Sequence, residues 1–384
     1  MGNKSSSCFD RVILVDALIL ICIGIVAISS ASIMESIMKY GDSMYQVKKH
    51  LISVVMSLVL AFFSLTIQTD FYKKACPYLF IITIVLMVIT YFFGREINGA
   101  RRWLSLGFMN AQPSEFLKLF WILYFSSYVS KRVKKLSDPF KKFLSDFSVI
   151  PAVFIGSMLG LCYLQSDLGS ATVILVISTA VLFAAGLGLN KVFGFGIIGA
   201  AVFALFVLPS DYRMKRITAF LDPWQDSQGS GYQLTQSLMA YGRGGLFGEG
   251  LGNSYQKLGY IPEAHTDFIT AVIGEELGFV GVVVLIALEL ILVYKAISIA
   301  YRILENNVCF EGYVALGIGI WFSLQTFINV GAATAAIPTK GLTLPLVSYG
   351  GSSLMVCSIA VAILLRIDYQ WKLGLIGENK IDGA

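Results

Sequence analysis

Runs of about twenty apolar residues recur along this chain from Val12 to Arg366, and no other feature limits its fold as strongly. A hydrocarbon layer of roughly 30 Å is crossed by about 20 helical residues, each segment closing its backbone hydrogen bonds internally. About ten such stretches fit: 12–33, 50–68, 76–93, 114–130, 147–164, 169–187, 191–209, 267–294, 311–336 and 351–366. Strand-period alternation is absent, which argues against a transmembrane barrel. Of the 384 residues, 56% are hydrophobic and 14% charged, and the mean hydropathy is +0.74, well outside the range of an ordinary soluble domain. The expected fold is an all-α polytopic membrane protein, a single integral domain over residues 1–384. It has about ten transmembrane helices, a large loop at 210–266 between the seventh and eighth, and a tail at 367–384.

Lys4 and Arg11 precede the first run and Ser29, Ser30, Ala31 and Ser32 follow it, as in a signal peptide. At around 20 residues the run exceeds a usual signal core and reads as an uncleaved helix. Basic residues set the orientation. With ten spans, both termini share a side with Lys131, Arg132, Lys134, Lys135, Lys141 and Lys142, whereas the short loops opposite hold far fewer cations. The termini are therefore expected to be cytoplasmic and the 210–266 loop external. The net charge of +5 is then mostly a topology signal, and no nucleic-acid partner is expected. The six cysteines avoid the external loops and lack metal-binding spacing. Gly242, Gly244, Gly245, Gly248, Gly250 and Gly252 match neither nucleotide-binding glycine pattern, so neither a nucleotide nor a redox cofactor is expected.

Polar residues collect on the external side. Arg95, Arg101 and Arg102 suit phosphate oxygens, or equally anchor lipid headgroups beside Trp103. Gln112-Pro113-Ser114 reads as a helix start, after which Glu115 and Lys118 share one face as an ion pair or as part of a site. Asp167 reads as a helix cap. Met214, Ile217, Phe220 and Leu221 form the apolar side of a short surface helix whose Arg213, Lys215 and Arg216 can face headgroups. A second short helix ends near Arg243, and the glycines after it either let backbone approach a ligand or make a flexible loop. Asp267 enters the eighth span after His265, as a general base or as its N-cap. Glu275 and Glu276, about 12 Å deeper, favour structural pairing. Lys340 lies in an irregular segment that is expected to wall the same cavity.

Several stretches in this order resemble the SEDS family (shape, elongation, division and sporulation), membrane glycosyltransferases that polymerise peptidoglycan. They are NGARRWLSLG (98–107), QPSEFLKL (112–119), YRMKRITAFLDPW (212–224), GYQLTQSLMAYGRGGLFGEGLGNSYQKLGYIPEAHTDFI (231–269), EELG (275–278) and PTKGLTLPLVSYGGSS (338–353). Within the family, PEAHTDF with PTKGLTLP is more similar to the division branch than to the elongation branch, while Met109-Asn110-Ala111 is less typical. The resemblance implies that a glycan on undecaprenyl diphosphate is joined to lipid II through a β-1,4 bond, with inversion and release of the lipid diphosphate. It makes Asp267 the base. Arg101, Arg102, Lys118, Arg213, Lys215, Arg216, Arg243 and Lys340 become the groups that meet diphosphate, with Trp103, Glu115 and His265 beside them. Mg²⁺ or Mn²⁺ is the implied cofactor, with Glu115 and Asp267 as possible ligands. The implied partners are a class B penicillin-binding protein, a transpeptidase, and other division proteins, at the septum in the bacterial inner membrane. Val282, Leu285, Leu288, Leu292, Trp321 and Phe322 are the faces expected to meet the transpeptidase. The competing readings are a lipid II flippase and a non-catalytic division scaffold.

Overall fold

The computed structural model describes residues 9–97, 100–105, 110–133, 149–188, 194 and 211–377. The helices are α1 (Arg11–Ala31), α2 (Ile33–Tyr40), α3 (Tyr45–Thr66), α4 (Thr69–Phe93), α5 (Pro113–Val133), α6 (Val149–Leu164) and α7 (Leu168–Ala184). They continue as α8 (Asp211–Leu221), α9 (Tyr232–Gly244), α10 (Ile269–Glu305), α11 (Cys309–Ala333) and α12 (Gly351–Lys372). All but one of the expected spans thus form helices, and the seventh, 191–209, lies outside the described residues, as does most of the basic 131–142 loop. Among the described residues, α1, α3, α4, α10, α11 and α12 are long and apolar enough to cross a membrane. The chain is a multi-pass, all-α membrane protein.

Packing is tightest between α10 and α11, between α12 and α3, and between α4 and α5. Trp121 and Trp321 are fully buried, each donating its indole N–H, to Ser178 and to Gln325 respectively. That satisfies the polar handle a buried tryptophan carries. Asp10 caps α1 through the N–H groups of Val12 and Ile13, and its second oxygen accepts from Lys295 at 3.0 Å. A small antiparallel sheet, β1 (Arg95–Ile97), β2 (Ala100–Ser105) and β3 (Asn110–Ala111), fills the connection before α5. Neither this sheet nor α2 follows from hydropathy.

The eighth span is broken. α10 is interrupted at Gly278, whose φ of 70° and ψ of −168° leave the helical region. The strand of chain after α9 docks into the break. Glu249 N–H donates to Glu275 O and Gly250 N–H to Glu276 O, while Phe279 and Val280 donate back to Gly245 O and Leu246 O. A Cβ on Gly244 would stand 2.0 Å from Gly274 O, and one on Gly248 would stand 2.2 Å from Glu276 O. Only glycine permits that approach. Gly244 and Gly248 therefore meet another backbone, while Gly242, Gly245, Gly250 and Gly252 are exposed, and this stretch supplies the hydrogen-bond partners that an interrupted membrane helix lacks. Glu275 accepts from Ser254 Oγ and from the N–H groups of Tyr255 and Gln256, and Glu276 from Ser30 and Lys257. Both are spent on pairing.

Candidate active site around Asp267

Four segments converge at the end of the bundle that carries the sheet. Asp267 lies in the turn before α10, whose first turn is led by Phe268 without a side-chain cap, so the N-cap reading of Asp267 does not hold. Its backbone carbonyl accepts from Asn329 Nδ2 at 3.1 Å, and the same amide donates to Leu342 O at 2.7 Å. Asn329 on α11 thereby ties the turn to the segment 338–349. Gly341 presses against the carboxylate, because a Cβ there would lie 2.7 Å from Asp267 Oδ2. Asp267 keeps some accessible surface, yet the protein packed around it is dense enough for burial to dominate its titration. Burial pushes it from 3.8 up to about 6, Glu263 adds to the rise, and Arg216, His265 and Arg102 oppose it. A carboxylate that titrates near neutrality in a half-closed pocket suits proton transfer.

The expected cations divide into two groups. Arg216, on the surface helix α8, turns inward and donates to Thr339 O at 3.2 Å, beside the Asp267 pocket. Arg102 donates to Gln165 O and Ser166 O at 2.9 and 2.7 Å, fastening the sheet to the α6–α7 turn. It also offsets the burial of Asp167, which stays below the ordinary carboxylate range with help from Ser114 and Ser170 while capping α7. Lys340 donates to Thr172 Oγ1 at 3.4 Å on the other side of Gly341. Arg216 and Arg102 act on the Asp267 carboxylate, and Lys340 adjoins Gly341 in the same segment.

The others stand apart. Arg101 is exposed and pairs loosely with Glu96 at 3.4 Å, and Trp103 lies across from Arg95 in the β1–β2 ladder. Lys215 is exposed, and the Arg213 side chain lies outside the described residues. Arg243 sits 3.8 Å from both Glu249 and Glu275 and over the Tyr255 ring, and so joins the helix-break network. Lys118 is 0% exposed. Its ammonium holds Glu115 Oε1 at 2.8 Å and Gln325 Oε1 at 3.1 Å, over the Trp321 ring. Gln325 in turn donates to Thr343 O at 2.7 Å, which links this buried pair to the segment beside Asp267.

Glu115 and Asp267 are the carboxylates expected to hold a divalent ion. The Lys118 ammonium occupies one Glu115 oxygen. Among the described residues, the group of three His, Cys, Asp or Glu donors close enough to hold an ion is Glu35, Glu263 and His265, which contains neither of them.

The model of the cell cycle protein family FtsW/RodA/SpoVE matches residues 10–373. This chain belongs to that family. Among FtsW/RodA/SpoVE relatives, the probable peptidoglycan glycosyltransferase FtsW of Aeromonas salmonicida is 45% identical over 96% of this chain and 92% of its own length. The protein of the same name from Haemophilus influenzae is 42% identical over 97% and 93%. In fold, the chain is similar to a member of a peptidoglycan synthase complex that coordinates polymerisation and crosslinking, with a TM-score of 0.76 and 26% identity over 95% of this chain and 98% of that one. It is also similar to the rod shape determining protein RodA of Thermus thermophilus, with a TM-score of 0.69 and 26% identity over 94% and 97%. For this FtsW/RodA/SpoVE chain, sequence reasoning passed over Asn329, Gln325, Gly341 and Glu35. Each acts through a partner more than 17 residues away or through a missing Cβ, and neither leaves a local pattern.

Proposed function

We infer that this protein is a peptidoglycan glycosyltransferase that polymerises lipid II at the outer face of the bacterial cytoplasmic membrane during division. The names and coverage of its relatives support the activity, and the observation that carries the site is Asp267, pressed by Gly341, acted on by Arg216 and Arg102 and titrating near 6. In the reaction, the acceptor's 4-hydroxyl oxygen attacks the anomeric carbon of the growing chain and its proton passes to the Asp267 carboxylate. The bond from that carbon to diphosphate oxygen breaks, and undecaprenyl diphosphate leaves with the electron pair. Arg102 and Arg216, which act on Asp267, are the cations assigned to offset the charge that develops on the leaving group, with Lys340 beside Gly341 as the third. Lys118 and Glu115 act from beneath, holding Gln325 and through it the segment 338–349.

A transpeptidase of the class B penicillin-binding type is the proposed partner, with the septum as the site of action and both termini in the cytoplasm. Its contact surface is revised from the sequence expectation. Val282, Leu285, Leu292, Trp321 and Phe322 are buried within the bundle, whereas Phe279, Val280, Val283, Val284, Leu290, Ile291 and Tyr294 face outward from α10. The test is incubation of the purified protein, with and without the partner, with labelled lipid II. Glycan strands that disappear with Asp267→Asn support the reading. Lipid II transfer across vesicles without polymerisation supports the flippase, and neither activity supports the scaffold.

A further inference from the structure

At the end of the bundle opposite Asp267, a cation near the close of α12 stands without an anion. Other basic side chains there are paired: Lys295 holds Asp10 at 3.0 Å, and Arg302 and Lys372 hold the two oxygens of Asp368 at 3.7 and 2.5 Å. Asp368, two residues on from Arg366, is thereby taken. Among the described residues, Arg366 makes no ion pair and no hydrogen bond. Its Nε is closed off from solvent with no acceptor, while the residue as a whole is half-buried, so its terminal nitrogens keep some surface. A buried donor without an acceptor is costly, and so is a charge at a membrane boundary without a partner.

The side chain is nonetheless held in place. Its guanidinium stands 5.3 Å over the Tyr369 ring, which in turn stacks on Phe9 at 4.9 Å. Its charge also acts on the Tyr72 hydroxyl, whose proton goes to Ser64 O at 2.9 Å. Gln370 lies one turn further along the same face of α12. The Gln370 side-chain carbonyl accepts from Thr69 N–H at 3.2 Å, and its Nε2 makes no hydrogen bond among the described residues. Arg366 and Gln370 therefore offer donors side by side where α12 meets the connection between α3 and α4. Phe62 and Phe63, which precede Ser64 at the end of α3, are exposed and give that place an apolar wall. Donors next to an apolar wall suit a phospholipid better than a free anion.

We propose that Arg366 and Gln370 hold the phosphate of an anionic phospholipid in the leaflet opposite Asp267, with its acyl chains along the exposed end of α3. A guanidinium presents a planar fork that pairs two phosphate oxygens at once. Arg11, Lys73 and Lys74 lie at the same end of the bundle, and a basic pocket between membrane helices favours a headgroup of net negative charge. In the orientation proposed above, this is the cytoplasmic leaflet. The site takes no part in the transfer reaction and does not depend on it.

The test is native mass spectrometry of the full-length protein, stripped of lipid in detergent and then given phosphatidylglycerol, phosphatidylcholine or inorganic phosphate, with thermal unfolding measured in parallel. The expected result is retention of a single phosphatidylglycerol per chain and a rise in Tm on binding, with phosphatidylcholine weaker and inorganic phosphate without effect. Arg366→Gln weakens retention by about tenfold or more, the factor carried by one hydrogen bond to a charged group, and cancels the rise. Arg302→Gln removes the same charge from the same end while Asp368 keeps Lys372, and it changes neither readout. Arg366→Lys, which keeps the charge and loses the fork, serves should Arg366→Gln fail to fold, and it too retains less lipid. Wild-type protein that retains no phosphatidylglycerol, or retention unchanged in both Arg366 variants, overturns the proposal. So does an equal loss in Arg302→Gln, because overall charge then holds the lipid. A Tm rise as large with inorganic phosphate marks a free-anion site and refutes the lipid. Polymerisation is scored separately, so a preparation that binds lipid as described yet makes no glycan leaves this site standing.

Discussion

Replacing Asp267 with Asn separates what the carboxylate does from what it costs the fold. Burial lifts Asp267 from 3.8 to about 6. At about 1.4 kcal/mol per pH unit, keeping it ionised at neutral pH destabilises the native state by roughly 3 kcal/mol. The native state binds the proton more tightly than the unfolded chain does. The stabilisation from protonation is therefore fully present below pH 3.8 and is lost as pH rises through about 6. Asn stays neutral throughout and nearly matches the shape. The variant should melt at the wild-type temperature near pH 4 and several degrees above it once the pH exceeds about 7. Its polymerisation should fall by ~10²- to 10⁴-fold, the usual loss when a general base is removed, and wild-type turnover should climb with pH through about 6. Differential scanning fluorimetry across this range, run beside polymerisation of labelled lipid II, supplies both readouts. A stability difference that is flat with pH, or a variant less stable than wild type at neutral pH, would refute the argument from burial. Wild-type turnover by the variant would remove Asp267 as the base.

Lys118→Met strands the buried Glu115 carboxylate and should lower stability by about 3–5 kcal/mol, and the Glu115→Gln/Lys118→Met double variant should recover most of that loss in thermal unfolding; failure to recover means that the pair is more than a mutual ion pair. Gly244→Ala places a Cβ 2.0 Å from Gly274 O and should abolish the yield of monodisperse protein on size exclusion. Gly341→Ala meets only the far end of the Asp267 side chain at 2.7 Å, so it should fold normally yet lose at least about tenfold in polymerisation, by displacing the base from its working geometry. A cysteine at Ser227, in the partly exposed stretch before α9, should react with a membrane-impermeant thiol reagent from outside intact cells. Ser254, buried against Glu275, should resist the reagent whatever the orientation.

Hydropathy made the long helices legible because a span needs only a run of apolar residues, and α1, α3, α4 and α12 begin or end within a few residues of the stretches read from the sequence. Asp267 was legible too, since a carboxylate at the mouth of an apolar run is conspicuous. The Gly278 break was not. Glycine inside a membrane helix is common, and nothing around it in the chain reveals that residues 245–250 will supply its hydrogen bonds. For the same reason, Arg243 read as a phosphate ligand: a cation next to glycines fits a loop over a substrate as well as it fits the Glu249–Glu275 pair it actually joins. Arg102 was recognised by its charge, but its bonds to Gln165 O and Ser166 O depend on a turn 63 residues later.

The depth at which the polar groups lie distinguishes a polymerase from a carrier. Lys118, one and a half turns into α5, binds Glu115 and Gln325, and Gln325 accepts from Trp321 and donates to Thr343. These groups are buried, and each of the bonds runs from protein to protein. They join α5, α11 and the segment before α12 beneath the Asp267 pocket. A flippase must let a diphosphate headgroup pass through such a layer, separating Lys118 from Glu115 in a setting where an uncompensated charge costs several kcal/mol. A polymerase needs the opposite, a firm base on which Asp267, Arg216 and Lys340 keep their spacing while two lipid-linked sugars come and go above. The break at Gly278 serves the same end, since backbone hydrogen bonds lock the chain after α9 to α10 and the turn carrying Asp267 leads directly into that helix. Rigidity below and access above suit transfer chemistry at one face of the membrane.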